Sequence, residues 1–220
     1  MIRDCTTTSI CIYTCRYEVN YIGTTEHSGT HIDAPSHFYR GRLRMHQIPL
    51  TKLYGPGVIL DVKKQVSRNP GYKVRISDIR RWETYHGRIP NGAMVLMSSG
   101  WYRRYPDPYK VYSTNNISDF KSYRFPSFDF NALNFLANQR SVHAVGSDSP
   151  SIYRGTSTQP DFSGFVVLFK RNIPVVLSVA NVDRLPNFGS TVFLPAINIY
   201  DGSGAPVRVF ATVPESKMKY

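Results

Sequence analysis

Three histidines and an aspartate, His27, His31, Asp33 and His37, fall within eleven residues, with Gly29 and Pro35 between them. Imidazole and carboxylate donors together suit Zn, Mn or Fe, and three protein ligands leave one position for water. The run therefore points to a catalytic metal, with one Zn or Mn per chain as the expected cofactor. A helix would stack His27 over His31, but Gly29, Thr30, Ile32 and Pro35 all disfavour one. In an extended chain alternate residues share a face. His27, Gly29, His31 and Asp33 then face one way, with Gly29 leaving room for the ion. Ser28, Thr30 and Ile32 face the other. Pro35 breaks the ladder, which puts His37 past a bend. From there it reaches the site as a proton carrier or a further ligand.

The elements that must position this run are short. Glycine and proline punctuate apolar segments at 57–61, 93–97, 144–146, 175–179 and 207–211, which read as buried strands. A helix is expected over about 77–85, capped by Ser77, with Ile79 and Trp82 on one face and Gly87 ending it. A second is expected over about 129–139, capped by Asp129, with Leu133 and Leu136 turned inward. The segment from Tyr102 to Phe125 is polar and aromatic, with Pro106 and Pro108, and reads as a long surface loop. No repeat, low-complexity tract or linker divides the chain.

The chain has 220 residues with 41% hydrophobic content, enough for one domain with a substantial core. No apolar run reaches the ~18–20 residues that a membrane span needs, and no signal peptide is evident at the start. A cytoplasmic location is expected. Cys5, Cys11 and Cys15 fit no common zinc pattern and are too crowded for a disulfide framework; they read as ordinary thiols in a reducing compartment or, alternatively, as an N-terminal disulfide with one free thiol. Asn116 opens a glycosylation sequon that matters only in a secreted protein. The net charge is +12, spread along the chain, with Arg40, Arg42 and Arg44 the tightest set. No nucleic-acid motif accompanies it, so a nucleic-acid partner is not expected. The three arginines could instead steer an anionic substrate. Asp148, at the end of a predicted strand, could orient a metal-bound histidine or bond its own turn. Trp101 could stack on an aromatic substrate or belong to the core. Both are carried forward as candidate substrate-binding residues. The Gly-x-Ser-x-Gly of serine hydrolases is absent, and Gly202, Ser203 and Gly204 are too short and misplaced for a phosphate loop.

The run from His27 to His37 resembles the HxGTHxDxPxH signature of the cyclase-like metal-dependent hydrolases, the family of bacterial kynurenine formamidase and isatin hydrolase. Segments around Gln47 to Leu50, Gly55 to Asp61, Ile76 to Gly92, Ser99 to Trp101, Gly146 to Asp148, Val179 to Asp183 and Gly202 to Arg208 follow in family order. The resemblance covers residues 20–213, leaving 1–19 as a divergent N-terminal segment and 214–220 as a tail. It implies a metal held by His27, His31 and Asp33, and an acid–base role or metal contact for His37. The implied fold is a single α/β domain around a central, largely antiparallel β-barrel with flanking helices, in homodimers or homotetramers. The implied activity is hydrolysis of a small aryl or cyclic amide, with no membrane partner.

The chain departs from this pattern in two places. Many members carry a second-half histidine and, twelve residues later, a glutamate. Those positions fall here on Phe165 and Leu177, which can neither bind a metal nor carry a proton. The opening strand of the family, roughly D-L-[ST]-x-P, has no counterpart at the start of this sequence. The alternative reading is therefore a catalytically impaired member that binds a metal or a small ligand.

Overall fold

The computed structural model describes residues 17–153 and 161–217. The three cysteines lie outside them. Its centre is one eight-stranded mixed sheet: β1 (His31–Asp33), β2 (Tyr54–Asp61), β4 (Met94–Ser98), β6 (Ala144–Ser147), β7 (Val175–Leu177), β8 (Phe188–Phe193), β9 (Gly204–Pro206) and β10 (Phe210–Thr212). Their spatial order is β10-β8-β2-β4-β6-β7-β1-β9. A two-residue strand β3 (Lys73–Val74) pairs separately with β5 (Ser127–Phe128).

The middle of the sheet, β2-β4-β6-β7, is parallel, and the flanking pairs are antiparallel. The α/β class with a curled central sheet agrees with the sequence. The expected central barrel takes the form of a curled, mixed half-barrel, antiparallel in four of its seven pairings. The reason lies in the connections: helices α1 (Lys63–Arg68), α2 (Ile76–His86), α4 (Phe130–Gln139) and α5 (Ser163–Phe169) supply the crossovers that parallel strands require. Between the two ends of the curl, the described residues record one antiparallel bridge, Ala196 to Val207.

The parallel strands are buried on both faces, so they read as continuous apolar runs and not as alternation. Within β2 the alternation is still at work. Val58 and Leu60 pack against the helices, while Ile59 joins Ile32, Met94, Leu96 and Val176 inside the curl.

Four local expectations change. The first helix is capped at Arg75, whose backbone N–H donates to the Asp78 carboxylate at 2.8 Å, so Ser77 sits inside the helix. The strand expected over 175–179 stops at Leu177, because Ser178 turns to φ 56°. The last strand begins at Phe210, with Val207 contributing only the isolated bridge. The 102–125 segment is not a bare loop. It holds α3 (Pro108–Tyr112), whose Asp107 carboxylate accepts from the N–H groups of Tyr109 and Lys110. The second helix agrees with the sequence: Asp129 caps α4, and Leu133 and Leu136 are fully buried. No helix among the described residues is long and apolar enough to cross a membrane.

Candidate metal centre

Strand β1 lies between β7 and β9, with His31 opposite Leu177 and Asp33 opposite Gly204. Only His31 and Asp33 of the run belong to the strand. Gly29 adopts φ 58° and ends the extended stretch, so His27 comes in from a turn and not by alternation. Gly29 is therefore needed for its backbone: a Cβ there would meet nothing within 4 Å. The glycine that leaves room is Gly204, where a Cβ would fall 2.4 Å from His27 Cε1. As expected, Pro35 starts a bend, a 3₁₀ turn over Pro35–His37 that delivers His37 from the side.

The four side chains converge. His27 Nδ1 lies 2.7 Å from Asp33 Oδ1, and His31 Nε2 lies 3.3 Å from the same oxygen. The His27 and His37 rings stack at 3.9 Å, and His31 meets His27 edge-on at 5.3 Å. Donor atoms of His27, Asp33 and His37 all fall within 4.8 Å of one another. The carbonyl of Gly29 accepts from His31 Nδ1 at 2.9 Å, which fixes the ring so that Nε2 faces Asp33. Behind His27, Nε2 is 3.0 Å from Ser203 Oγ, and Ser203 is held in turn by the Glu26 carboxylate. This is the outer support that metal-binding histidines commonly have.

The electrostatics suit a cation. Asp33 is only 2% exposed. Burial pushes its carboxyl up, but hydrogen bonds from His27 and His31 outweigh this and hold it below the usual carboxylate range. Burial also pulls His31 down, yet its bonding and attraction to Asp33 leave its pKa raised. Burial dominates at His37 and, helped by repulsion from His27 and His31, leaves its pKa lowered. A buried carboxylate ringed by imidazoles, with no thiolate among the described residues, matches the donor chemistry of a divalent metal ion.

These groups form one side of a cavity of about 400 Å³. The rest of its lining is largely apolar, with Phe38, Tyr123, Phe125, Phe162, Phe165 and Leu177, joined by Lys121, Ser151 and Asp161. Phe38 stacks on Phe162 at 4.3 Å and meets Phe165 at 5.2 Å. Phe165 and Leu177, singled out by the departures from the family pattern, thus both face the site. Sequence reasoning did not identify Phe38, Phe162, Ser203 or Gly204. The only available signal was the second glycine of the Gly202–Gly204 segment.

Trp101 and Asp148 are not among the residues lining this cavity. Trp101 is 1% exposed, and its indole N–H donates to the Val111 carbonyl at 2.8 Å. Asp148 accepts from the backbone N–H groups of Ser99 and Trp101, each at 3.0 Å, and so pins the turn in which Gly100 takes φ 75°. Burial raises the Asp148 pKa against those bonds.

A half-barrel that sets a histidine–carboxylate cluster beside an aromatic cavity defines the cyclase-like α/β class. The chain belongs to the Cyclase family, whose model matches residues 4–153. It is 26% identical over 205 residues to an isatin hydrolase of Roseibium aggregatum, covering 90% of this chain and 75% of that protein. Among solved structures it resembles isatin hydrolase A from Labrenzia aggregata bound to benzyl benzoate, at TM-score 0.80 and 28% identity over 89% of this chain and 76% of that one. It also resembles isatin hydrolase A from Ralstonia solanacearum, at TM-score 0.77 and 28% identity over 86% and 73% of the two chains.

Proposed function

We propose that the chain is a metal-dependent hydrolase of a small aryl or cyclic amide, isatin-like in size and shape. The observation that carries this reading is the convergence of donor atoms of His27, Asp33 and His37, with His31 beside Asp33, in a cavity otherwise lined largely by aromatic side chains. His27, His31 and Asp33 would hold Zn or Mn, and the likeness to isatin hydrolases supports a small cyclic amide as substrate. When bound, such an ion acidifies water and polarises a carbonyl.

The chain's own groups do the rest. Asp33 keeps its negative charge at neutral pH and orients His27 and His31. His37, its pKa lowered by burial, is neutral near pH 7 and can accept a proton at a ring nitrogen. It takes that proton from the attacking water and returns it to the departing nitrogen. Phe38, Phe162 and Phe165 stack on the aryl ring and exclude bulk water from it. The products are a carboxylate and an amine.

Metal content and turnover measured together test this. His31→Ala should lose the metal. His37→Ala should retain it while hydrolysis of isatin falls about 10²–10⁴-fold, the range for a lost proton carrier. Full turnover by His37→Ala would remove the proton role. Loss of the metal in that variant would make His37 a ligand instead.

The apolar Phe165 and Leu177 on the cavity wall favour a second reading, a binding module on the same scaffold. Stoichiometric metal and tight ligand binding, with no turnover above the His31→Ala background, would select it.

A further inference from the structure

A second cavity, of about 760 Å³, adjoins the first and shares His37 and Phe38 with it. Its chemistry is the opposite of the aromatic wall. Arg40, Arg42, Arg44 and His46 line it, against one carboxylate, Asp201. Arg44 occupies that carboxylate, with Nε 3.0 Å from Oδ1, and donates to the Asp201 carbonyl at 2.7 Å. Among the described residues no acidic group pairs with Arg40 or Arg42.

The groove is also built to hold its shape. Gly41 takes φ 78°, and the Arg42 N–H closes the turn on the Tyr39 carbonyl at 3.3 Å. Arg42 lies over the Tyr39 ring at 5.3 Å, and Lys170 approaches the same ring at 5.8 Å. Half-buried Arg42 is thus held by an aromatic face while its donors stay available. A guanidinium fork matches carboxylate and sulfonate geometry, and stacking reduces the freedom it loses on binding.

We propose that this groove is an anion subsite for the molecule whose ring occupies the aromatic cavity. The inference rests on the functional reading above and narrows it to anionic aryl compounds. The anion could be a substituent on the substrate or the carboxylate released by amide cleavage.

KM and product-inhibition constants of metal-loaded protein for isatin, isatin-5-sulfonate and isatinate, with calorimetric titration where no turnover is seen, test the proposal. Wild type should bind at least one of the two anions about tenfold tighter than isatin, the effect of one charge-assisted contact. The preference should shrink as salt rises. The double variant Arg40→Gln, Arg42→Gln should lose it. The double variant Lys64→Gln, Arg68→Gln, which removes the same charge from α1, should keep it. A preference for the sulfonate alone assigns the subsite to a substrate substituent, and one for isatinate alone assigns it to the cleaved carboxylate.

Isatin bound without preference for either anion overturns the subsite and leaves the hydrolase reading standing. A preference that survives in the arginine variant also overturns it. A preference with no turnover keeps the subsite and overturns the hydrolase. Binding of none of the probes overturns both.

Discussion

The two walls of the cavity are built in opposite ways. The polar wall comes from eleven consecutive residues, His27 to His37, folded around the three-residue strand β1. The rest of the lining, mostly apolar but including Lys121 and Asp161, is gathered from Phe38, the 120–125 segment, Pro150 to Tyr153, Asp161 and Phe162 before α5, α5 itself and the end of β7. The polar wall depends on hydrogen bonds with fixed partners. The apolar wall depends on packing, where a ring is held by whatever surrounds it. The metal-type donors are thus supplied locally, and shape by the whole fold.

The sharpest way to break this contrast is at Asp33. Asp33→Asn leaves the size of the side chain alone and removes its charge. Metal content should fall below detection and turnover should drop by more than the ~10–100-fold that loss of an outer support costs. Elemental analysis beside an isatin assay checks this, and a variant still holding metal would mean that the histidines suffice.

Phe165→Ala attacks the other wall. It should cost about 3–5 kcal/mol of stability in urea unfolding, the usual range for a truncated core aromatic. Its metal content should stay at the wild-type level. If metal were lost as well, the walls would not be independent.

Ser203→Ala should act only on the polar wall. Losing the contact behind His27 should weaken metal affinity about 10–100-fold in a competition titration, with little change in the unfolding midpoint of the metal-free protein.

The smallest effect is a pH dependence. His37 has a folded pKa below its unfolded value of about 6.5. Between the two, the unfolded chain binds more protons, so stability rises with pH through that window and is lost as pH falls below it. In metal-free protein, wild type should therefore lose ground to His37→Gln as pH is lowered from neutrality. Phe165→Ala should show the same deficit against wild type at both ends of that range. A pH-independent gap for His37→Gln would mean that burial does not depress this histidine.

The same division explains what the sequence made legible. A metal-type run needs only residue identity and order, so His27, His31, Asp33 and His37 stood out. Strand parity placed His31 and Asp33 correctly. It failed for His27, because Gly29 turns to positive φ, a conformation that alternation does not encode. The apolar wall was invisible except at Phe165 and Leu177, where the family pattern leads one to expect polar groups. An aromatic residue carries no mark of which cavity it faces. In the 102–125 segment the signal was present but unused: an aspartate followed by proline, Asp107 and Pro108, is a helix start. Trp101 and Asp148 stand out by residue type, yet both serve the turn and packing around Gly100.

The half-barrel leaves β9 as the last strand of the sheet, directly beside the strand that carries His31 and Asp33. Only three residues long and ending in Pro206, β9 presents a poor template for pairing with another molecule. Without it, the open hydrogen-bonding groups of β1 would face solvent. The short strand therefore also guards against aggregation: a lesion that unpaired it would open a new edge at the same strand whose residues form the site.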